Sequence, residues 1–196
     1  MEFKRTDAIM VLGGTEMGKS TWVNLHVPIV PWEYRWIYDY NNRDMLVYRD
    51  AAFKYHGSVY QNVGEAKKFM RELYVHGHGF GFFDEADAYF TSENDFCFDF
   101  CKYSANRGVG FMLVGKRPKG FHPEVRARVK RVVTFQDTLH DDIEYLAEWF
   151  NVPARVVEPV QSLLPYEFIV WDLKNRQKSP ILCYKIVKGR SLLIRR

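Results

Sequence analysis

The chain of 196 residues has few cysteines, no long apolar run and no internal repeat. Its three cysteines fit a reducing compartment. Cys97 and Cys101 stand four apart on a predicted helix, and Cys183 lies far away in a strand-like run. That spacing brings no further ligands to a metal, so the thiols are read as buried core residues. No apolar stretch approaches the length of a bilayer crossing, and the segment Met1–Asp7 carries no signal-peptide core. The protein is therefore expected to be made in a cytoplasm and to stay there. No low-complexity tract or Ser/Gly linker divides the chain, and its length suits one well-buried α/β domain. Residues 1–196 are expected to form that single domain, with a core over about 8–150 and an extension over about 151–196. A hydrophobic content of 47% and an aromatic content of 16% exclude a disordered chain.

Acids are scarce in one region. The net charge is only +4, yet Lys102, Arg107, Lys116, Arg117, Lys119, Arg126, Arg128, Lys130 and Arg131 face the single acid Glu124 between residues 102 and 131. A second basic stretch runs through Lys174, Arg176, Lys178, Lys185, Lys188, Arg190, Arg195 and Arg196. Such blocks attract a polyanion or form solvated faces, and composition does not choose between the two.

The most informative stretch is Ala8–Thr21. An apolar run, Ala8–Leu12, empties into Gly13-Gly14-Thr15-Glu16-Met17-Gly18-Lys19-Ser20, and a helix is predicted from Thr21 to His26. Gly-x-x-x-x-Gly-Lys-Ser between a strand and a helix is a phosphate-binding loop. Its glycines let backbone N–H groups turn toward a triphosphate, and the helix N-terminus adds partial positive charge. Residues Gly13 to Thr21 are thus the candidate nucleotide cradle. Lys19 is placed to reach the β- and γ-phosphates and Ser20 to hold Mg²⁺.

The remaining pattern alternates. Strands are predicted at Trp36–Tyr40, ending in the Asn41–Asp44 turn, at Ser58–Gln61, at Gly79–Phe83, at Gly110–Gly115 and at Arg131–Phe135. Helices are predicted at Gly64–Val75, Asp95–Asn106, His122–Val129 and Leu139–Phe150. Glu167–Asp172 and Ile181–Val187 read as a terminal hairpin around Lys174–Gln177. The alternation implies an α/β fold of the P-loop NTPase kind, with a mainly parallel sheet, right-handed crossovers and ligands at the C-terminal ends of the strands.

A strand of large apolar residues ending in Asp84 and Glu85 is the Walker B pattern. Asp84 is expected to hold Mg²⁺, and Glu85 to orient or deprotonate the water that attacks the γ-phosphate. Asp87 is left as a structural residue at the start of a helix. Two predicted strands between Lys19 and Asp84 leave room for one inserted between the Walker A and Walker B strands, as in the branch with an added strand and a catalytic Glu. No Asn-Lys-x-Asp motif is present, which disfavours a small GTPase. The cluster Arg117–Arg131 imitates a kinase lid, so a small-molecule kinase stays open as a reading. Asp39 reads as a turn former, His76 and His78 as loop residues, and Trp32, Tyr34, Trp36, Tyr38 and Tyr40 as core and cross-strand aromatics that also have the faces to stack bases.

The Gly13–Ser20 loop, the Phe82–Glu85 strand end and the run Arg107–Pro118 together resemble the HerA–FtsK superfamily of DNA-translocating ATPases. Closest in size and layout are the small genome-packaging ATPases of viruses with an internal membrane. The resemblance extends over about Ala8–Phe135, and Leu164-Pro165-Tyr166-Glu167-Phe168 also looks family-like. It implies ATP and Mg²⁺ as cofactors, and hydrolysis coupled to sequence-independent movement of double-stranded DNA. It also implies a homo-oligomeric ring, a pentamer or hexamer, working in a host cytoplasm or on the virion, with a capsid vertex or membrane protein as docking partner and no transmembrane segment of its own. By position, Arg107 would be an arginine finger acting in trans. Lys116 would occupy the sensor position, where the family usually has Gln, with Arg117 competing for the anion-facing role. A helicase or plasmid-transfer translocase of the same branch is the nearest alternative.

Overall fold

A computed structural model describes residues 4, 6–39, 53–56, 63–137, 139–173 and 182–195. Its frame begins with β1 (Ala8–Leu12), every residue of which is buried. Successive side chains of a strand point to opposite faces. Ala8, Met10 and Leu12 accordingly join one apolar cluster, and Ile9 and Val11 join a second, together with Trp22 and Val23. A strand without alternation, covered on both faces, belongs in the middle of a parallel sheet. Helix α1 (Lys19–His26) leads through two short 3₁₀ turns to β2 (Arg35–Asp39). Next in chain order come β3 (Phe53–His56), α2 (Val63–His76), β4 (Phe80–Phe83), α3 (Asp95–Tyr103) and β5 (Gly110–Val114). Then follow α4 (Pro123–Arg128), β6 (Arg131–Thr134), α5 (His140–Phe150), the short α6 (Ala154–Val157), β7 (Glu167–Asp172), β8 (Leu182–Val187) and β9 (Arg190–Arg195).

The strands form one sheet in the order β3-β2-β4-β5-β1-β6-β7-β8-β9. The first six in that order pair in parallel. From β6 onward the pairing is antiparallel. The fold is that of a P-loop NTPase with an antiparallel C-terminal extension.

The expected strand between the Walker A and Walker B strands is present, although its place in the chain was not foreseen. The strand between β1 and β4 is β5, which follows β4 in the chain, and neither strand that precedes β4 takes that place. The reason is burial: β4 and β5 are apolar and wholly buried, whereas β2 opens with the half-buried Arg35 and β3 carries Lys54 and His56 in its sequence. Uninterrupted apolar strands occupy the centre and polar ones the edge. The strand expected at Ser58–Gln61, the Asn41–Asp44 turn and the Lys174–Gln177 turn lie outside the described residues. The terminal hairpin gains a third strand, because Lys188 (φ 47°) and Gly189 (φ 72°) make a two-residue turn from β8 into β9. Positive φ at both central positions suits the twist of a tight hairpin.

Phe69 of α2 is the hub of the larger core. It is fully buried, with its ring centroid 5.3 Å from Phe83, 5.4 Å from Tyr38 and 5.8 Å from Trp36. Cys97, Cys101 and Cys183 are buried free thiols, and burial pushes the first two well above the usual thiol range. Among the described residues, no helix is long and apolar enough to cross a membrane. Replacing Phe69 with Ala should remove about 3–5 kcal/mol of stability through lost burial and an unfilled cavity. Urea denaturation checks this, and a loss under about 1 kcal/mol would show that the aromatic cluster closes around the gap.

Candidate active site

The C-terminal end of β1 runs into the glycine loop. Gly13 has φ +141°, and a side chain there would put a Cβ 2.6 Å from Cβ of Phe135, at the end of β6. Gly18 has φ +107° and caps α1 without a side-chain hydrogen bond. These two positions need glycine for the turn and for the close approach of neighbouring backbone. The loop is tied down by Gly14 N–H donating to Gln136 O (2.8 Å) and by Tyr166 N–H donating to Met17 O (2.9 Å). Glu16 is exposed and left-handed (φ 64°), Thr15, Ser20 and Thr21 are exposed, and Gly14, Met17 and Lys19 are half-buried.

Lys19 Nζ donates to Gly13 O at 2.7 Å and to Gly14 O at 2.6 Å. The ammonium thus lies inside the curl of its own loop, where a phosphate would offer better acceptors. Burial lowers its pKa; Asp87 opposes that most strongly, Lys116 adds to it, and Asp84 and Glu85 oppose it further.

β4 delivers Asp84 and Glu85 to the same edge. Asp84 N–H donates to Tyr38 O (3.0 Å), and its carbonyl accepts from the hydroxyl of Tyr89 (3.1 Å). Glu85 adopts φ 43°, ψ 43°, a left-handed conformation that costs a non-glycine residue on the order of 1 kcal/mol or more. β5 adds Gly115, whose N–H donates to Val11 O (3.0 Å), followed by Lys116. Nζ of Lys116 lies 3.4 Å from Oε1 of Glu85. These strand ends line one cavity of about 140 Å³ with Thr15, Lys19, Ser20, Asp84, Glu85, Val114, Gly115 and Lys116.

Asp87 has a part that the helix-start reading misses. Its Oδ2 accepts from the backbone N–H of Lys116 (2.9 Å) and of Arg117 (3.3 Å). The carboxylate therefore fixes the turn that carries Lys116. Arg117 is not turned toward the cavity: its guanidinium binds Asp142, fully buried on α5, at 2.8 and 3.4 Å. Other members of the basic run are also paired within the chain, Lys119 with Asp141 and both Lys130 and Arg131 with Asp7. Arg126 lies over the Tyr145 ring at 4.4 Å.

Arg107 is not brought to the cavity. It precedes β5, so it sits at the N-terminal edge of the sheet, opposite the loop. Its Nε and Nη2 donate to Tyr74 O (3.3 Å) and Val75 O (3.1 Å), carbonyls in the last turn of α2. His76 and His78 are at that same edge, His76 Nδ1 lying 2.9 Å from Gly77 O and His78 N–H donating to Arg107 O. Asp39 is buried at the end of β2, as are Trp36 and Tyr38 within it; Trp32 is exposed, and Tyr40 lies outside the described residues. Among the described residues no group of three or more His, Cys, Asp or Glu side chains gathers to hold a metal.

A glycine loop at the end of β1, a strand ending in Asp-Glu and a third strand between the two make up the arrangement of the P-loop NTPase fold. No protein-family model matches the chain, and no curated protein matches it in sequence. Solved structures do. The genome packaging NTPase B204 from Sulfolobus turreted icosahedral virus 2, in complex with sulfate, superposes with TM-score 0.78 at 16% identity, over 94% of this chain and 98% of that one. The same NTPase in complex with ATP-gammaS gives TM-score 0.75 at 17% identity, over 93% and 98%. EssC (ATPases 2 and 3) from Geobacillus thermodenitrificans gives TM-score 0.59 at 17% identity, over 85% of this chain and 37% of that one. The likeness to this chain is one of fold.

The Asp87 clasp has a consequence for pH dependence. A phosphate held by Lys19 would be held by the ammonium form, which is lost as pH rises through a folded pKa that burial has already lowered. Asp87→Asn keeps an acceptor for the two N–H groups but removes the charge that most strongly opposes the lowering. The alkaline limb of nucleotide affinity should therefore move to lower pH, with little change near neutrality. Titrating affinity from about pH 7 to about pH 10 tests this, and superimposable limbs would contradict it.

Proposed function

We propose that the chain is an ATPase that moves double-stranded DNA, loading a viral genome into a preformed capsid. One observation carries the reading: Lys19, Ser20, Asp84, Glu85 and Lys116 line a single cavity in a fold shared, over 94% of this chain, with a viral genome packaging NTPase. The nucleotide would lie along the Gly13–Thr21 cradle, with Lys19 exchanging the Gly13 and Gly14 carbonyls for β- and γ-phosphate oxygens. Ser20 Oγ and the Asp84 carboxylate are the hard oxygen donors that Mg²⁺ accepts beside phosphate. The ion, when bound, would neutralise charge on the β- and γ-oxygens.

Glu85 is the base or orienter for the attacking water. Its carboxylate is paired with Lys116. A γ-phosphate offers that ammonium a stronger anion, and its departure leaves the carboxylate to the water. Lys116 acts here as a point charge and not as a hydrogen-bond acceptor, which is the difference between it and a Gln sensor.

Arg107 acts on a neighbouring subunit. It and the loop occupy opposite ends of the strands, so contact between them from copy to copy is heterologous, a kind of contact that makes a ring when its rotation closes; the proposed ring is a pentamer or hexamer. Two guanidinium N–H groups hold α2, and Arg carries five. DNA would be gripped through its phosphates without base reading, with an affinity that falls steeply with salt. Pairing of Arg117, Lys119, Lys130 and Arg131 to Asp142, Asp141 and Asp7 counts against the kinase reading, whose lid would need those cations for phosphate. A helicase is told apart by strand separation, in contrast to ATPase activity stimulated by blunt duplex.

Glu85→Gln should lower turnover roughly 10²–10⁴-fold while ATP still binds. Unchanged turnover, measured as phosphate release with and without long duplex DNA, would remove Glu85 from the mechanism. Arg107→Ala and Lys19→Ala subunits should each be inactive alone and regain turnover when mixed. Full activity of Arg107→Ala by itself would end its role as a finger.

A further inference from the structure

The cavity accounts for the phosphate end of a nucleotide, and the other flank of the loop points to the nucleoside end. In the sheet, β5 and β4 stand on one side of β1, and β6 and β7 on the other. Asp84, Glu85 and Lys116 come from the β4 and β5 ends, so the γ-phosphate lies on that side. The nucleoside must leave the loop on the β6–β7 side. The turn 163–167 stands there, and it is built rather than loose. Glu167, 4% exposed, accepts from the Leu164 N–H through Oε2 (3.1 Å), while its own N–H donates to Leu164 O (2.9 Å). Lys185 Nζ lies 3.5 Å from the same carboxylate.

The turn holds Tyr166 left-handed, at φ 67°, between its N–H bond to Met17 O and the bond its carbonyl accepts from Ile186 N–H. A Cβ on Gly18 would lie 2.8 Å from Cδ1 of the Tyr166 ring. The ring edge therefore rests against the residue that caps α1, three positions before Thr21. It is still 45% exposed, and Leu164 beside it is 56% exposed. An aromatic face with an apolar neighbour, fixed in a strained backbone at the exit of a phosphate loop, is suited to a flat heterocycle.

We propose that Tyr166, flanked by Leu164, is the platform on which the base of the bound nucleoside triphosphate stacks. The assignment rests on the reading that ATP occupies the Gly13–Thr21 loop. Stacking reads ring area and not hydrogen-bond pattern, so the platform favours purines over pyrimidines and separates ATP from GTP weakly.

The test is calorimetric titration of the full chain with Mg²⁺ and ATP-gammaS, CTP or inorganic tripolyphosphate. Asn tolerates the left-handed conformation, so Tyr166→Asn deletes the ring without forcing the turn. Tyr166→Asn should weaken ATP-gammaS roughly ten- to a hundredfold and erase the preference over CTP, whereas Tyr166→Phe should stay within about twofold of the parent. Tripolyphosphate, which has no base, should bind parent and both variants alike. Unchanged ATP-gammaS affinity in Tyr166→Asn would overturn the platform, and so would an equal loss for ATP-gammaS and tripolyphosphate, which would make Tyr166 a support of the loop. A change only in oligomer mass would assign the turn to a subunit contact and overturn it too. A parent protein that binds neither ATP-gammaS nor tripolyphosphate would instead refute the ATPase reading itself.

Discussion

Parallel pairing on both sides of β1 is the constraint on which the site depends. β5 and β6 hold β1 in register, Val11 beside Val114 and Val133, so three chain segments leave the sheet at one edge and at one level. The glycine loop, the Gly115–Lys116 turn and the Phe135–Gln136 segment are neighbours for that reason. Their remaining polar groups bond to each other: Gly14 to Gln136 and Gly115 to Val11. The two apolar clusters on the faces of the sheet serve this edge indirectly, by keeping β1, β4 and β5 from shifting against one another.

Much of this was legible in one dimension. Ala8–Leu12 is an unbroken apolar run followed by glycines at fixed offsets, and both signals act within a few residues. The same holds for Phe80–Glu85 and for the stripe of Ile143, Leu146, Ala147 and Phe150 on α5. What failed to show was long-range. The place of β5 between β1 and β4 follows from competition for the buried centre, which no local pattern records. Arg117 competes with Lys116 for the anion-facing role in the sequence because its partner Asp142 lies far along the chain. β9 went unseen because its turn is Lys-Gly, where Asn-Gly is the usual signal. Nothing about a tyrosine announces a positive φ, so the position of Tyr166 against Gly18 could come only from coordinates.

The basic run illustrates how composition misleads. Between residues 102 and 131 the sequence suits a polyanion surface as well as a solvated face. In the fold, several of its cations close internal seams: Arg117 joins the turn after β5 to α5, and Lys130 and Arg131 anchor the segment before β1 through Asp7. Charge that is neutralised within a few ångströms contributes little to a long-range field. The proposed DNA contact falls to side chains outside these pairs.

The backbone at Glu85 places function and stability in opposition. Glycine would occupy that left-handed position without strain, and asparagine with little. A chain selected for the firmness of its fold alone would drift toward either of them. Under the role proposed for Glu85, keeping a long carboxylate there means tolerating a locally disfavoured conformation beside the phosphate loop, a firmness of fold given up for chemistry.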